Sequence, residues 1–421
     1  IKDQVLLYPL LERQEMASNL NALASQVHLP TTKLKQLVSS ASNAGVANAI
    51  EACTRAIHAI INPSCKLGED SVQRCFATTD GFKIHEVLVV IDECIAAFLS
   101  KTGLSLKVIQ DSLQSTPLKA ALSAAQSSEP GAMADQSSQE ARPEDILVAI
   151  LRVLQTTALF STSVSILEAN LHSSIATLKA EWREKASSIH VWFTLFPGQR
   201  EAHEDKLESF EGGATSLLPT TEKSLKDFCG AAEQLVLDYM MIKVKESLQG
   251  LGESKLWSRS EEKDKTFDLP SFSVFPSKHV TNLGEYLLIV PQQFEVLDDL
   301  DELNSRRIKI KESEGGEEGS QESNSFAAEW ITRIVEEASK LYIRDILRIP
   351  RLSENGCSQL QADIDYLCNI LQALFVPVPL TLKTIASNLS LKSDEIANGK
   401  SKPKECDAST WDRIVRMRLD K

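Results

Sequence analysis

Two aspartates, Asp363 and Asp365, stand one residue apart in the stretch QLQADIDYLCNILQAL that runs from Gln359 to Leu374. Paired carboxylates can do general acid and base work or hold a divalent cation, provided that both reach one point. On an α-helix successive side chains are about 100° apart, so residues two apart diverge by about 200°. The pair cannot share a metal or a proton. The apolar letters around it carry the better pattern: Leu360, Ile364, Leu367, Leu371 and Leu374 step by 4, 3, 4 and 3, a seam for packing or for partner contact. Asp363 is expected on the flank of that seam and Asp365 on its outer face, both solvated or ion-paired.

Other candidates for chemistry are sparse. Cys53, Cys65, Cys75 and Cys94 fall within 42 residues, but their spacings of 12, 10 and 19 lack the close pairs that present two thiolates to a tetrahedral zinc. Cys53 and Cys94 sit among Ala, Ile and Val, where cysteine serves as a small apolar filler. His28, His58, His85, His172, His190, His203 and His279 show no metal-ligand spacing, and surface or capping roles are expected of them. A nucleophile elbow, a phosphate-binding glycine loop and a dinucleotide fingerprint are all missing, so no catalytic residue, metal ligand or cofactor is assigned. Asn388-Leu389-Ser390 is a single glycosylation pattern, near what chance provides.

Composition points to folded helical structure with protein partners. Apolar residues make up 43% and charged residues 24% of the 421, the balance of a globular chain. Asp and Glu outnumber Lys and Arg by 58 to 45, a net charge of −13 that disfavours nucleic acid and simple docking on anionic lipid. The eight dispersed cysteines suggest a reducing, cytosolic setting. The longest apolar run, VLVVIDECIAAFL from Val87 to Leu99, is interrupted by Asp92 and Glu93, so no membrane span is expected. The chain opens on Ile1 inside a helical pattern, without Met or signal sequence, and is expected to be part of a longer protein.

Helical periodicity supplies the elements that would position these residues. Phe160, Val164, Leu167, Leu171, Ile175, Leu178 and Trp182 form one stripe at helical spacing. From Glu144 to Phe196 there is neither Gly nor Pro; either one helix of roughly 75 to 80 Å runs through, or the serines at Ser161 and Ser163 break it into two antiparallel helices. Residues 1–125 read as a bundle of four helical stretches broken at Pro30, at Asn62-Pro63-Ser64 and at Gly103. Residues 126–142 read as a flexible linker or insert. Residues 143–302 read as a central bundle carrying a polar loop at 249–275. Residues 303–325 read as an acidic disordered insert, with five glutamates against one lysine from Lys311 to Ser325. Residues 326–421 read as a C-terminal bundle with helices near 326–349, 356–374, 377–390 and 407–419. The expected fold is all-α, an elongated rod of consecutive antiparallel helical bundles.

Several segments recur together in order. Tyr286 to Gln292 gives Tyr-Leu-x-x-x-Pro-Gln, Ile349-Pro350 with Leu352 closes a helix, Gln359-Leu360 leads into Asp363-Ile364-Asp365-Tyr366-Leu367, and Val415 to Arg418 reads VRMR. In this order, over roughly 280–420, the chain resembles the family of subunit 7 of the conserved oligomeric Golgi complex. The resemblance implies a non-enzymatic subunit of a multisubunit vesicle-tethering complex, a peripheral protein of the cytosolic face of the Golgi. Its implied work is intra-Golgi retrograde transport and, through it, glycosylation homeostasis. The implied partners are other subunits of the complex, with SNARE, Rab or coat factors beyond them. The alternative class is an all-α adaptor or scaffold, a helical solenoid outside tethering.

Overall fold

The structure is a computed structural model that describes residues 2–39, 43–114, 143–184, 189–199, 201, 203, 205–206, 216–258, 275–294, 326–391, 396 and 406–419. The linker at 126–142, the acidic insert at 303–325 and most of the expected loop, 259–274, lie outside these. Among the described residues all regular structure is helical, in eleven α-helices and two 3-10 turns. The apolar runs Val87–Val90 and Leu287–Val290, short enough to suit strands, are helical. The chain divides into two compact units, Ile1–Tyr239 and Met240–Lys421.

The first unit holds α1 (Lys2–Ser39), α2 (Asn43–Thr79), α3 (Ile84–Leu113), α4 (Pro143–Glu184), the short α5 (Ile189–Leu195) and most of α6 (Pro219–Ser247). Polar pairs between helices fix their directions. Glu12 pairs with Arg74 while Ser71 Oγ donates to Met16 Sδ at 3.9 Å, so α1 and α2 are antiparallel. Arg13 pairs with Glu93, and Lys101 Nζ donates to Asn21 Oδ1 at 2.9 Å, both with an offset of 80, so α1 and α3 are parallel. Glu51 with Arg152 (2.5 Å), Asn62 with Ser163 (3.3 Å) and Glu69 with Asn170 (2.6 Å) share the offset 101, which sets α4 parallel to α2. The result is an up-down-up-down bundle in which each helix is antiparallel to the next in sequence. The helices on either side of 126–142, α3 and α4, belong to this one unit.

Three expected breaks are absent. Pro30 lies inside α1, Pro63 inside α2 and Gly103 inside α3, so three long helices stand where four stretches were expected. An interior proline costs a helix about 3 kcal/mol. Here the flanking turns are anchored: Val27 and Leu34 bracket Pro30, and Ile60, Ile61 and Cys65 bracket Pro63, all buried. Hydroxyls take up nearby carbonyls, with Thr31 Oγ1 donating to His28 O (2.7 Å) and Ser64 Oγ to Ile61 O (2.7 Å). The serine cluster likewise does not break α4, since Thr162 Oγ1 donates to Ala158 O and Ser165 Oγ to Ser161 O within the running helix. α4 is 42 residues long, about 63 Å at 1.5 Å per residue.

The α4 stripe from Phe160 to Leu178 is buried, and α2 is the main surface it packs on. Ile146–Ala180 is long and apolar enough by composition to cross a membrane, which the reading of apolar runs overlooked. Over half of its most apolar window, 56%, is buried inside the bundle, the state of a core helix.

The second unit contains α7 (Lys278–Phe294), α8 (Phe326–Ile346), α9 (Glu354–Ala373), α10 (Leu380–Leu389) and α11 (Ala408–Leu419). Two 3-10 turns, Leu251–Glu253 and Lys255–Ser258, occupy the start of the region expected to be a loop. They are core structure: Trp257 is 1% exposed, its Nε1 donates to Leu251 O at 2.5 Å, and its carbonyl accepts Ser353 N at 2.8 Å. Gly356, in the first turn of α9, meets that carbonyl so closely that a Cβ would overlap it. The polar letters around Trp257 hid a buried aromatic from the sequence reading. At the other end, Arg418 donates to the carbonyls of Asn388 (2.5 Å) and Leu391 (2.7 Å), closing the C-terminus of α10 as a cation should.

Candidate functional site

The structure separates the two aspartates, but not as expected. Asp365 is exposed and accepts only a local bond from Gln361 Nε2 at 2.8 Å. Asp363 is 0% exposed, which corrects the expectation of a solvated or ion-paired flank. Its carboxylate accepts the backbone N–H of Ser277 (2.6 Å), the Ser277 hydroxyl (2.6 Å) and Gln359 Nε2 (3.0 Å). Ser277 immediately precedes α7, and its carbonyl accepts the N–H groups of Val280 and Thr281. Asp363 therefore grips the residue that opens α7, and Gln359 braces the same approach by donating to Phe275 O at 2.7 Å. Burial pushes the Asp363 carboxyl above its ordinary range, against the three hydrogen bonds that favour the charged form.

The first unit repeats the device. Asp92, 6% exposed, accepts Thr220 N (3.0 Å) and Thr221 N (2.7 Å), and its own carbonyl accepts the Thr221 hydroxyl (2.9 Å). Glu168 accepts Leu217 N (2.7 Å) and the Ser216 hydroxyl (2.8 Å). Both carboxylates meet the N-terminus of α6, where free N–H groups and the helix dipole favour an anion. A charged letter inside VLVVIDECIAAFL was the available signal: an aspartate in an apolar run needs a buried partner.

The seam lies in the core of the second unit. Leu360, Ile364, Leu367 and Leu371 are each 0% exposed, while Leu374 is half-buried just past the end of α9. α9 packs against α7, the second 3-10 turn and α10. Gly284 lets α7 approach this helix, since a Cβ there would clash with the Tyr366 ring.

Two histidines are also misplaced by the sequence reading. His85 and His203, expected at the surface or in caps, are 8% and 7% exposed, edge to face at 4.7 Å. They border a cluster in which Phe82 stacks on Phe196 (5.2 Å) and meets Phe193 edge-on (5.9 Å). Burial pushes both imidazoles down to about 4. Such histidines stay neutral and pack as aromatic rings. The thiols of Cys53, Cys65 and Cys75 are buried and pushed up to about 12, 11 and 11 by desolvation, so they stay protonated. Among the described residues, no three of His, Cys, Asp and Glu gather as a metal site. Asn388 is 0% exposed, so the glycosylation pattern presents no accessible acceptor.

These polar groups hold helix ends and pack cores, which defines the class: an all-α helical-bundle protein whose carboxylates position helices. The family described as Golgi complex component 7 matches residues 199–419. That is over half of the chain, and it begins well upstream of residue 280. The chain belongs to this family.

Among curated relatives, conserved oligomeric Golgi complex subunit 7 of Arabidopsis thaliana is 27% identical over 83% of this chain and 44% of its own length. The subunit of the same name from Rattus norvegicus is 30% identical over 43% of this chain and 24% of its own. That of Drosophila melanogaster is 32% identical over 30% and 17%. The chain thus spans less than half the length of the relatives it matches. No solved structure matches it.

Proposed function

We propose that this chain works as part of a non-enzymatic subunit of the conserved oligomeric Golgi complex, binding sibling subunits on the cytosolic face of the Golgi. There it supports intra-Golgi retrograde vesicle transport and so the retention of glycosylation enzymes. SNARE, Rab or coat factors are reached through the assembled complex. The observation that carries this reading is the family match over residues 199–419, whose relatives bear the name of that complex. The architecture supports it, because helical bundles with capped ends and filled seams offer outer helix faces to neighbours. The same membership favours tethering over a helical adaptor of another class.

The test is complementation. Cells lacking their own subunit receive the tagged full-length protein, and sibling subunits are sought by co-purification while surface glycans are profiled with lectins. Recovery of the siblings together with restored glycans is expected. A stably expressed protein that recovers no sibling overturns the proposal.

A further inference from the structure

α9 ends on an unusual residue. Phe375 N donates to Gln372 O (3.1 Å) and Val376 N to Leu371 O (2.9 Å), the two bonds of a Schellman cap. In that motif the position held by Phe375 takes a left-handed backbone and favours glycine. Phe375 adopts φ +56, one of two non-glycine residues with positive φ among those described. The apolar contact of the cap is made without it, by Val376 and Leu371, which are 4% and 0% exposed. The Phe375 side chain is itself 96% exposed. A residue strained in its backbone, with its ring in water, contributes nothing to its own fold that glycine would not improve.

Its surroundings suit a docking anchor. Leu380 is 53% exposed, Pro377 is exposed, and Val376 to Pro379 reads VPVP, so prolines stiffen the chain next to the ring. Little backbone freedom is left to lose on binding. An exposed ring offers about 200 Å², so two copies meeting ring to ring would bury roughly 400 Å², short of the ~1,200 Å² of a specific interface. Self-association is thereby disfavoured. Between Arg351 and Lys383 the sequence has no Lys or Arg, and its exposed acids are Glu354 and Asp365. Docking on an anionic membrane calls for basic residues beside the wedge. A protein pocket is left as the fitting receptor.

We propose that Phe375, with Leu380 and Pro377 beside it, is a preset anchor that inserts into an apolar pocket on a sibling subunit of the complex. This rests on the tethering reading. The test uses the full-length protein as wild type, Phe375→Gly and Phe375→Ala, with each purified sibling subunit as probe in a solution binding assay and urea unfolding in parallel. Phe375→Gly is expected to raise the urea midpoint, because the strain is relieved, and to weaken one sibling interaction at least tenfold, as loss of a buried aromatic anchor does. Phe375→Ala keeps the strain and loses the ring, so affinity falls while the midpoint barely moves.

A lowered midpoint in Phe375→Gly would show that the ring packs in the fold and overturn the proposal. Wild-type binding that both variants match would overturn it while leaving the tethering reading standing. No sibling binding by the wild type would overturn both. Binding to phosphatidylcholine–phosphatidylserine vesicles that the variants lose, with sibling affinity unchanged, would replace the protein pocket by a membrane.

Discussion

Asp363 and Asp365 are two letters apart and should behave in opposite ways. Replacing Asp363 with Ala leaves the Ser277 N–H buried without its acceptor, a cost of about 1–3 kcal/mol, and deprives the Ser277 hydroxyl of its partner. Loss of the grip on the residue that opens α7 adds a share comparable to a lost cap, about 1 kcal/mol. Part of this is returned, since the burial that raises the carboxyl's pKa no longer opposes folding. A net loss of about 2–3 kcal/mol follows. Asp363→Asn keeps one accepting oxygen for the Ser277 N–H and should lose about 1 kcal/mol. Asp365→Asn should change stability by less than about 0.5 kcal/mol, as exposed sites do. The assay is urea unfolding followed by tryptophan fluorescence, with hydrogen exchange of Val280 and Thr281, whose N–H groups bond to Ser277 O, as the local readout. Exchange at those amides should quicken in Asp363→Ala and stay as in wild type in Asp365→Asn. Equal stability of Asp363→Ala and wild type, or a larger loss from Asp365→Asn, would refute the reasoning.

Acid should loosen the first unit. The imidazoles of His85 and His203 go from 6.5 in the unfolded chain to about 4 when folded, so the unfolded state binds more protons between those values. Stability is full above pH 6.5 and falls as pH drops towards 4, the two touching rings titrating as a pair; a His203→Phe variant should show a shallower decline of midpoint with pH. Gly356→Ala forces a Cβ onto the Trp257 carbonyl and should cost about 2–4 kcal/mol, read as a lower thermal midpoint with altered Trp257 emission. Leu367→Asp buries an unpaired carboxylate among Leu360, Ile364 and Leu371 and should prevent the second unit from folding, seen as lost helical circular dichroism.

Periodicity and composition determined the helical class and the four C-terminal helices, because an amphipathic stripe must be buried whatever it packs against. The same letters showed the Leu360–Leu371 seam and ruled out shared chemistry at Asp363 and Asp365, since both follow from helix geometry alone. Local signals failed where packing outweighed them. Pro30, Pro63 and Gly103 read as breaks, yet their helices continue because buried side chains on both sides of each are worth more than the lost bond or the backbone entropy. Whether a charged residue faces water or a distant helix end depends on what lies across the bundle. Asp363 reaches Ser277 over 86 positions and Asp92 reaches Thr221 over 129, distances at which no sequence periodicity operates. His85 and His203, 4.7 Å apart but far apart in sequence, were brought together in the same way. Only the tertiary structure could decide these, because the free energy of a buried polar group is set by its partners in space rather than by its neighbours in the chain.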